Sequence, residues 1–248
     1  CFDAGNCAGR TPGSARLEGG LVIHWDLFER FGLRMLDGYL VTLELALGST
    51  AIGLLLAAPF ALARVFASPL VSGAVFGYTY IFRGTPLLAQ LFLIYYGSAQ
   101  FQTTLAAAGF WWLFSDPFIC SLFTFTLNTA AYQTEIFAGA IRNVPHGQIE
   151  AARAAAMPPL LTARRIILPQ AARLALRPLG NELILMVKAS ALASVVTVYD
   201  LLATAKLTFQ RTYDFQAYLA AALIYILTVE VIRRAVNAFD AALNPHRL

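Results

Sequence analysis

Five stretches of this chain, roughly 38–63, 72–98, 117–141, 178–202 and 215–232, are apolar over the length of a membrane-crossing helix. A hydrocarbon core of about 30 Å needs about 20 mostly apolar residues in helical form. The first run, GYLVTLELALGSTAIGLLLAAPFALA, carries Glu44 as its one charge; Arg83 interrupts the second run and Lys188 the fourth. Composition agrees. Residues are 58% hydrophobic and 13% charged, with a mean hydropathy of +0.64, whereas an ordinary soluble domain is about 25% charged. The expected fold is therefore all-α: a polytopic membrane helix bundle of five transmembrane helices.

Residues 22–37 (VIHWDLFERFGLRMLD) have apolar positions at helical spacing and are expected to lie along the membrane surface. This divides the chain into an extracytoplasmic tail and interfacial helix (1–37), a transmembrane domain (38–235) and a cytoplasmic tail (236–248). The Gly-rich polar stretch 1–20 is expected to be poorly ordered. The chain opens on Cys1 rather than Met, as expected of a fragment or a processed product. Cys1, Cys7 and Cys120 lack metal-ligand spacing. Cys120 reads as a small buried residue, and a Cys1–Cys7 disulfide stays open for an extracytoplasmic N-terminus.

Loop charges set the orientation. With the N-terminus outside, ten Lys/Arg lie on the cytoplasmic side and six outside. The segment 142–177 decides the matter, because Arg142, Arg153, Arg164, Arg165, Arg173 and Arg177 cluster there. Five spans then leave the C-terminus inside. A net charge of +4 is better explained by this bias than by a nucleic-acid face.

Charges at membrane depth are costly and usually face a bundle interior or an aqueous cavity. Arg83 sits in FRGTP, where Gly84 and Pro86 are expected to break or kink the helix. Freed backbone groups are tolerated only against protein or a cavity. Two readings stay open for Arg83: a place on a transport path, or a kink with Arg83 snorkelling to the interface. Asn128, Tyr132 and Glu135 follow i, i+4, i+7 and share one helix face. That stripe lines a substrate route or holds helices together by hydrogen bonds. Lys188, in LMVKASAL, lies too deep for easy snorkelling and joins the candidates for the path.

No catalytic site emerges from the residues. His24, His146 and His246 are scattered, which gives a metal site no support. The two lysines, Lys188 and Lys206, do not follow Gly, so the Gly-x4-Gly-Lys-Ser/Thr phosphate cradle is absent. If ATP drives this protein, another chain binds it.

Between the third and fourth runs lies HGQIEAARAAAMPPLLTARRIILPQ (146–170). Residues 147–157 favour helix, with Glu150 in the first turn where a carboxylate suits the dipole. Pro158-Pro159 stops that helix, and a second is expected over 160–167, ending before Pro169. Two short helices at a membrane surface make a rigid knob.

The knob resembles the EAA signature of membrane subunits of binding-protein-dependent ABC importers: Glu-Ala-Ala, three residues, Gly, nine residues, Ile, one residue, Leu-Pro. Here it reads Glu150-Ala151-Ala152, then Ala156 in the Gly position, then Ile166 and Leu168-Pro169, with every spacing kept. In the family that Gly lies at the bend between the helices, so with Ala156 the bend is expected to shift toward Met157-Pro158-Pro159. TYIFRGTPLLAQL (79–91), LNTAAYQTEIFAGAIRNVPHGQIEAARA (127–154) and GNELILMVKASALASVVTVYDLL (180–202) resemble the polar amino-acid branch, most of all the M-type subunit of histidine, lysine/arginine/ornithine and opine permeases. The resemblance implies a multi-pass subunit of the bacterial inner membrane that imports polar, basic amino acids or an opine by alternating access. It implies ABC ATPase subunits, a second permease subunit and an extracytoplasmic substrate-binding protein as partners. Cofactors are not expected in this chain, ATP and magnesium being held by the ATPase. Glu150, Ala151, Ala152, Ala156 and Met157 would form the coupling surface. The alternative is a proton-coupled secondary transporter with Glu135 and Lys188 as relays, against which the odd span count and lack of an internal repeat speak.

Overall fold

The computed structural model describes residues 25–243, and every regular element among them is helical. The expectations for residues 1–20, for Cys1 and Cys7, and for 244–248 lie outside the described residues. Five long helical units answer to the five apolar runs, four of them close to the expected bounds. They are α1 (Trp25–Phe66), the pair α2 (Pro69–Gly84) and α3 (Leu87–Ala99), α6 (Pro117–Arg142), α9 (Leu168–Ala189) and α11 (Gln216–Leu243). Between them lie the short helices α4 (Gln102–Ala107), α5 (Trp112–Ser115), α7 (His146–Ala154), α8 (Pro159–Thr162) and α10 (Leu201–Thr212). The helical runs Gly32–Phe66 and Pro159–Val196 are long and apolar enough to cross a membrane by composition alone.

Helix α6 is the centre of the bundle, packed against α1, α2, α3 and α9. It starts sharply because Asp116 accepts from the N–H groups of Phe118 (2.8 Å) and Ile119 (3.0 Å), with Pro117 in the first turn where its missing N–H costs nothing. Contact with α1 is close because of Gly53, where an added Cβ would lie 2.7 Å from Thr129 Cγ2. Small residues let helix backbones approach in this way where lipid supplies no hydrophobic drive. Next to Gly53, Gln133 Nε2 donates to the Thr50 carbonyl at 3.1 Å. The apolar core around it gathers Leu45, Leu91, Phe125, Val187 and Val196 from four helical units.

Three expectations change. First, 25–37 is not a separate surface helix: α1 is continuous from Trp25 through Phe66. Gly38 does not break it, because it lies against α10, where a Cβ would meet the Asp200 carbonyl at 2.8 Å. Second, the fourth span is displaced from 178–202. Helix starts at Pro159, and α9 ends in a 3₁₀ turn, Ser190–Val196. Thr197 then adopts φ +66° and α10 begins as a new element, capped by Asp200 accepting from Ala203 N–H at 2.9 Å. Third, Pro169 does not end the second loop helix. A π-helical turn, Ala163–Ile167, carries α8 into α9, placing Pro169 in the first turn of the α-helix that follows. Widening the turn absorbs the residue that would otherwise face a proline without an N–H. At the C-terminal end, α11 runs past residue 235 to Leu243 and is tied to α9 by Arg177 and Asp240, 2.6 Å apart.

Candidate functional site

The knob is built on a small apolar floor. Ala140, Ile141 and Val144 at the end of α6 pack with Ile167, Ala171 and Ala175, and Val65 of α1 and Ile149 of α7 close the cluster. Gln170 of α9 donates to Gln148 of α7, pinning one arm to the other. Glu150 and Ala151 are exposed on α7, Ala152 is buried beneath them, and Met157 is half-buried.

The bend does not move to the double proline. Ala156 itself takes the left-handed conformation, φ +52°. Its N–H bonds to the Arg153 carbonyl at 2.9 Å, and Met157 N–H reaches back to the Ala152 carbonyl at 3.0 Å. This pair of bonds closes the end of α7 and satisfies carbonyls that would otherwise be orphaned. That gain outweighs the cost of about 1–2 kcal/mol for a Cβ in the left-handed region.

The second locus is the break between α2 and α3. Thr85 is extended (φ −114°, ψ 146°) and Pro86 opens α3. The freed carbonyls are taken up by side chains. Phe82 O accepts from Asn128 Nδ2 (3.0 Å) and Gln90 Nε2 (2.8 Å), and Arg83 O accepts from the Tyr132 hydroxyl (3.3 Å). Asn128 also donates to Gln90 Oε1 at 3.0 Å, while Thr85 folds its hydroxyl onto Ile81 O. The Arg83 guanidinium lies 5.2 Å from the centre of the Tyr132 ring, a cation–π contact on an exposed arginine.

The polar stripe of α6 thus faces α2. Asn128 and Tyr132 serve the break, and Glu135 pairs with Arg64 of α1 at 3.2 Å and accepts from Thr79 of α2 at 3.0 Å. Lys188 stands apart, exposed on α9, with no ion-pair partner among the described residues. Sequence reasoning missed Gln90, Arg64, Thr79 and Glu182. Glu182 is buried and accepts from Thr129 at 3.2 Å. Gln90 had a usable signal, a lone amide in the apolar run LLAQLFL just past the break. Arg64 reads only as a loop charge in sequence, and nothing there marks its partner 71 positions away.

Residues 49–245 match the family described as binding-protein-dependent transport system inner membrane component. The chain belongs to that family. Among relatives of this family, the nopaline transport system permease protein NocM of Agrobacterium fabrum is 43% identical over 214 residues, 86% of this chain and 89% of its own length. The histidine/lysine/arginine/ornithine transport system permease protein HisM of Salmonella typhimurium is 42% identical, covering 80% of this chain and 86% of its own. In three dimensions the chain superposes on an amino acid ABC transporter crystallised with histidines, with a TM-score of 0.80 and 30% identity over 90% of this chain and all of that one. An inward-facing MetNI methionine ABC transporter shares the fold, with a TM-score of 0.70 and 21% identity over 87% of this chain and 98% of that one. This inner-membrane component therefore has the architecture of an ABC importer permease, with the EAA-like knob and the broken helix joined through α6.

Proposed function

We propose that this permease subunit carries polar, basic amino acids or an opine across the bacterial inner membrane by alternating access, driven by ATP hydrolysed on separate ATPase chains. The reading rests on one observation: a two-armed knob, closed at Ala156 and seated on the ends of α1 and α6, that presents Glu150 and Ala151 outward. A loop so braced moves as a lever rather than bending. ATPase subunits grip it from the cytoplasm, a side supported by the arginines of 142–177; the N-terminus lies outside and the C-terminus inside. ATP and magnesium stay with the ATPase, a second permease subunit completes the path, and an extracytoplasmic binding protein delivers the substrate. The substrate class follows the relatives named for nopaline and for histidine, lysine, arginine and ornithine.

Arg83, Asn128, Tyr132 and Lys188 are assigned to the path. Asn128 and Tyr132 hold the backbone of the break in place, and Arg83, stacked on Tyr132, presents its charge there. Glu135 supports the path from behind rather than lining it, since its carboxylate is engaged by Arg64 and Thr79. That engagement also weighs against a proton relay through Glu135. Reconstitution in proteoliposomes with ATPase and binding protein tests the proposal: radiolabelled arginine is expected to accumulate only with internal ATP. Uptake driven by a pH gradient without ATP would favour a secondary transporter instead.

A further inference from the structure

A cluster at the foot of the bundle joins the last turns of α1 to α6 and to the first half of the broken helix, away from both the knob and the break itself. Arg64, near the end of α1, gives Nε to Glu135 Oε1 at 3.2 Å and Nη1 to Ser72 Oγ at 3.1 Å. Ser72 in turn donates to the Arg64 carbonyl at 2.9 Å, and the guanidinium lies 4.9 Å from the centre of the Phe76 ring. Thr79 donates to the same Glu135 oxygen at 3.0 Å. One arginine and one glutamate thus fasten three helices, α1, α2 and α6, in a site only about one-fifth exposed.

Its position gives it a mechanical role. The next residue, Val65, is packed into the floor of the knob with Val144, Ile149 and Ile167. On the far side, α2 leads from Ser72 and Thr79 to the break at Gly84, whose carbonyls are held by Asn128 and Tyr132 of the same α6. We infer that the Arg64–Glu135 pair is the clasp that transmits knob movement to α2, so that knob, α6 and α2 move together. This rests on the function proposed above and adds a positioning pair to it. A half-buried ion pair held by further hydrogen bonds suits the task, because breaking one partner leaves the other charge uncompensated. Arg is needed rather than Lys, because its planar fork reaches Glu135 and Ser72 at once while stacking on Phe76.

The test uses the full complex in proteoliposomes with binding protein, reading ATP hydrolysed per substrate imported. Glu135→Gln and Arg64→Lys are expected to raise that ratio several-fold while the ATPase still co-purifies, and the exchange Arg64→Glu/Glu135→Arg to bring it back toward the wild-type value. An unchanged ratio in both single variants would overturn the inference. So would loss of assembly in the single variants that the exchange restores without altering the ratio, since that is plain helix fastening. A wild-type complex without ATP-driven uptake would refute the function itself, and is told apart because it shows before any variant is compared.

Discussion

At the scale of single residues, Ala156 is the most telling position. Its spacing marked a bend, its identity argued against a left-handed turn, and the backbone adopts that turn with φ +52°. Hydrogen bonding at the helix end overrides local preference there. Ala156→Gly is expected to stabilise the knob by about 1 kcal/mol, since glycine enters the left-handed region without steric cost. Hydrogen exchange at the Ala156 and Met157 amides should then slow by about fivefold, the factor that corresponds to 1 kcal/mol. Unchanged exchange would show the turn unstrained. The stripe Asn128, Tyr132, Glu135 was legible as a face from its spacing alone. Its partners were not, because they are backbone carbonyls of Phe82 and Arg83 and the side chains of Arg64 and Thr79, which only the fold brings near.

At the scale of elements, the sequence signals worked where they carried a steric veto and failed where continuity was at stake. Gly84 and Pro86 announced the break, and α6 starts at Pro117, close to the start of the third apolar run. Nothing in 22–37 tells a surface helix from the first turns of a longer one, because both need the same apolar spacing. Pro169 misled, since its veto applies to an α-helical turn and the π turn at Ala163–Ile167 removes it. The α1–α6 contact gives a test at this scale. Gly53→Ala places a methyl 2.7 Å from Thr129 Cγ2, and overpacking of this kind typically costs about 1–3 kcal/mol. The detergent-solubilised subunit should melt several degrees lower; an unchanged midpoint would mean that the two helices separate freely at this point.

At the scale of the whole molecule, the knob, α6 and the sealed break form one connected body, with the Arg64–Glu135 clasp at its foot. Lys188 lies outside that body, exposed on α9. As a residue of the proposed path, Lys188→Ala should lower uptake by about tenfold, or about 1.4 kcal/mol in barrier, with ATPase co-purification intact; wild-type kinetics would remove it from the path. On the proposed function, ATPase force enters through the outward face of α7. The most direct measurement is ATPase co-purification and ATP-driven uptake with Glu150→Lys, which reverses an exposed charge without touching the buried floor. Membrane insertion is expected to stay normal, with the ATPase lost or uncoupled and uptake abolished. Full ATPase retention together with wild-type uptake would contradict the proposed function.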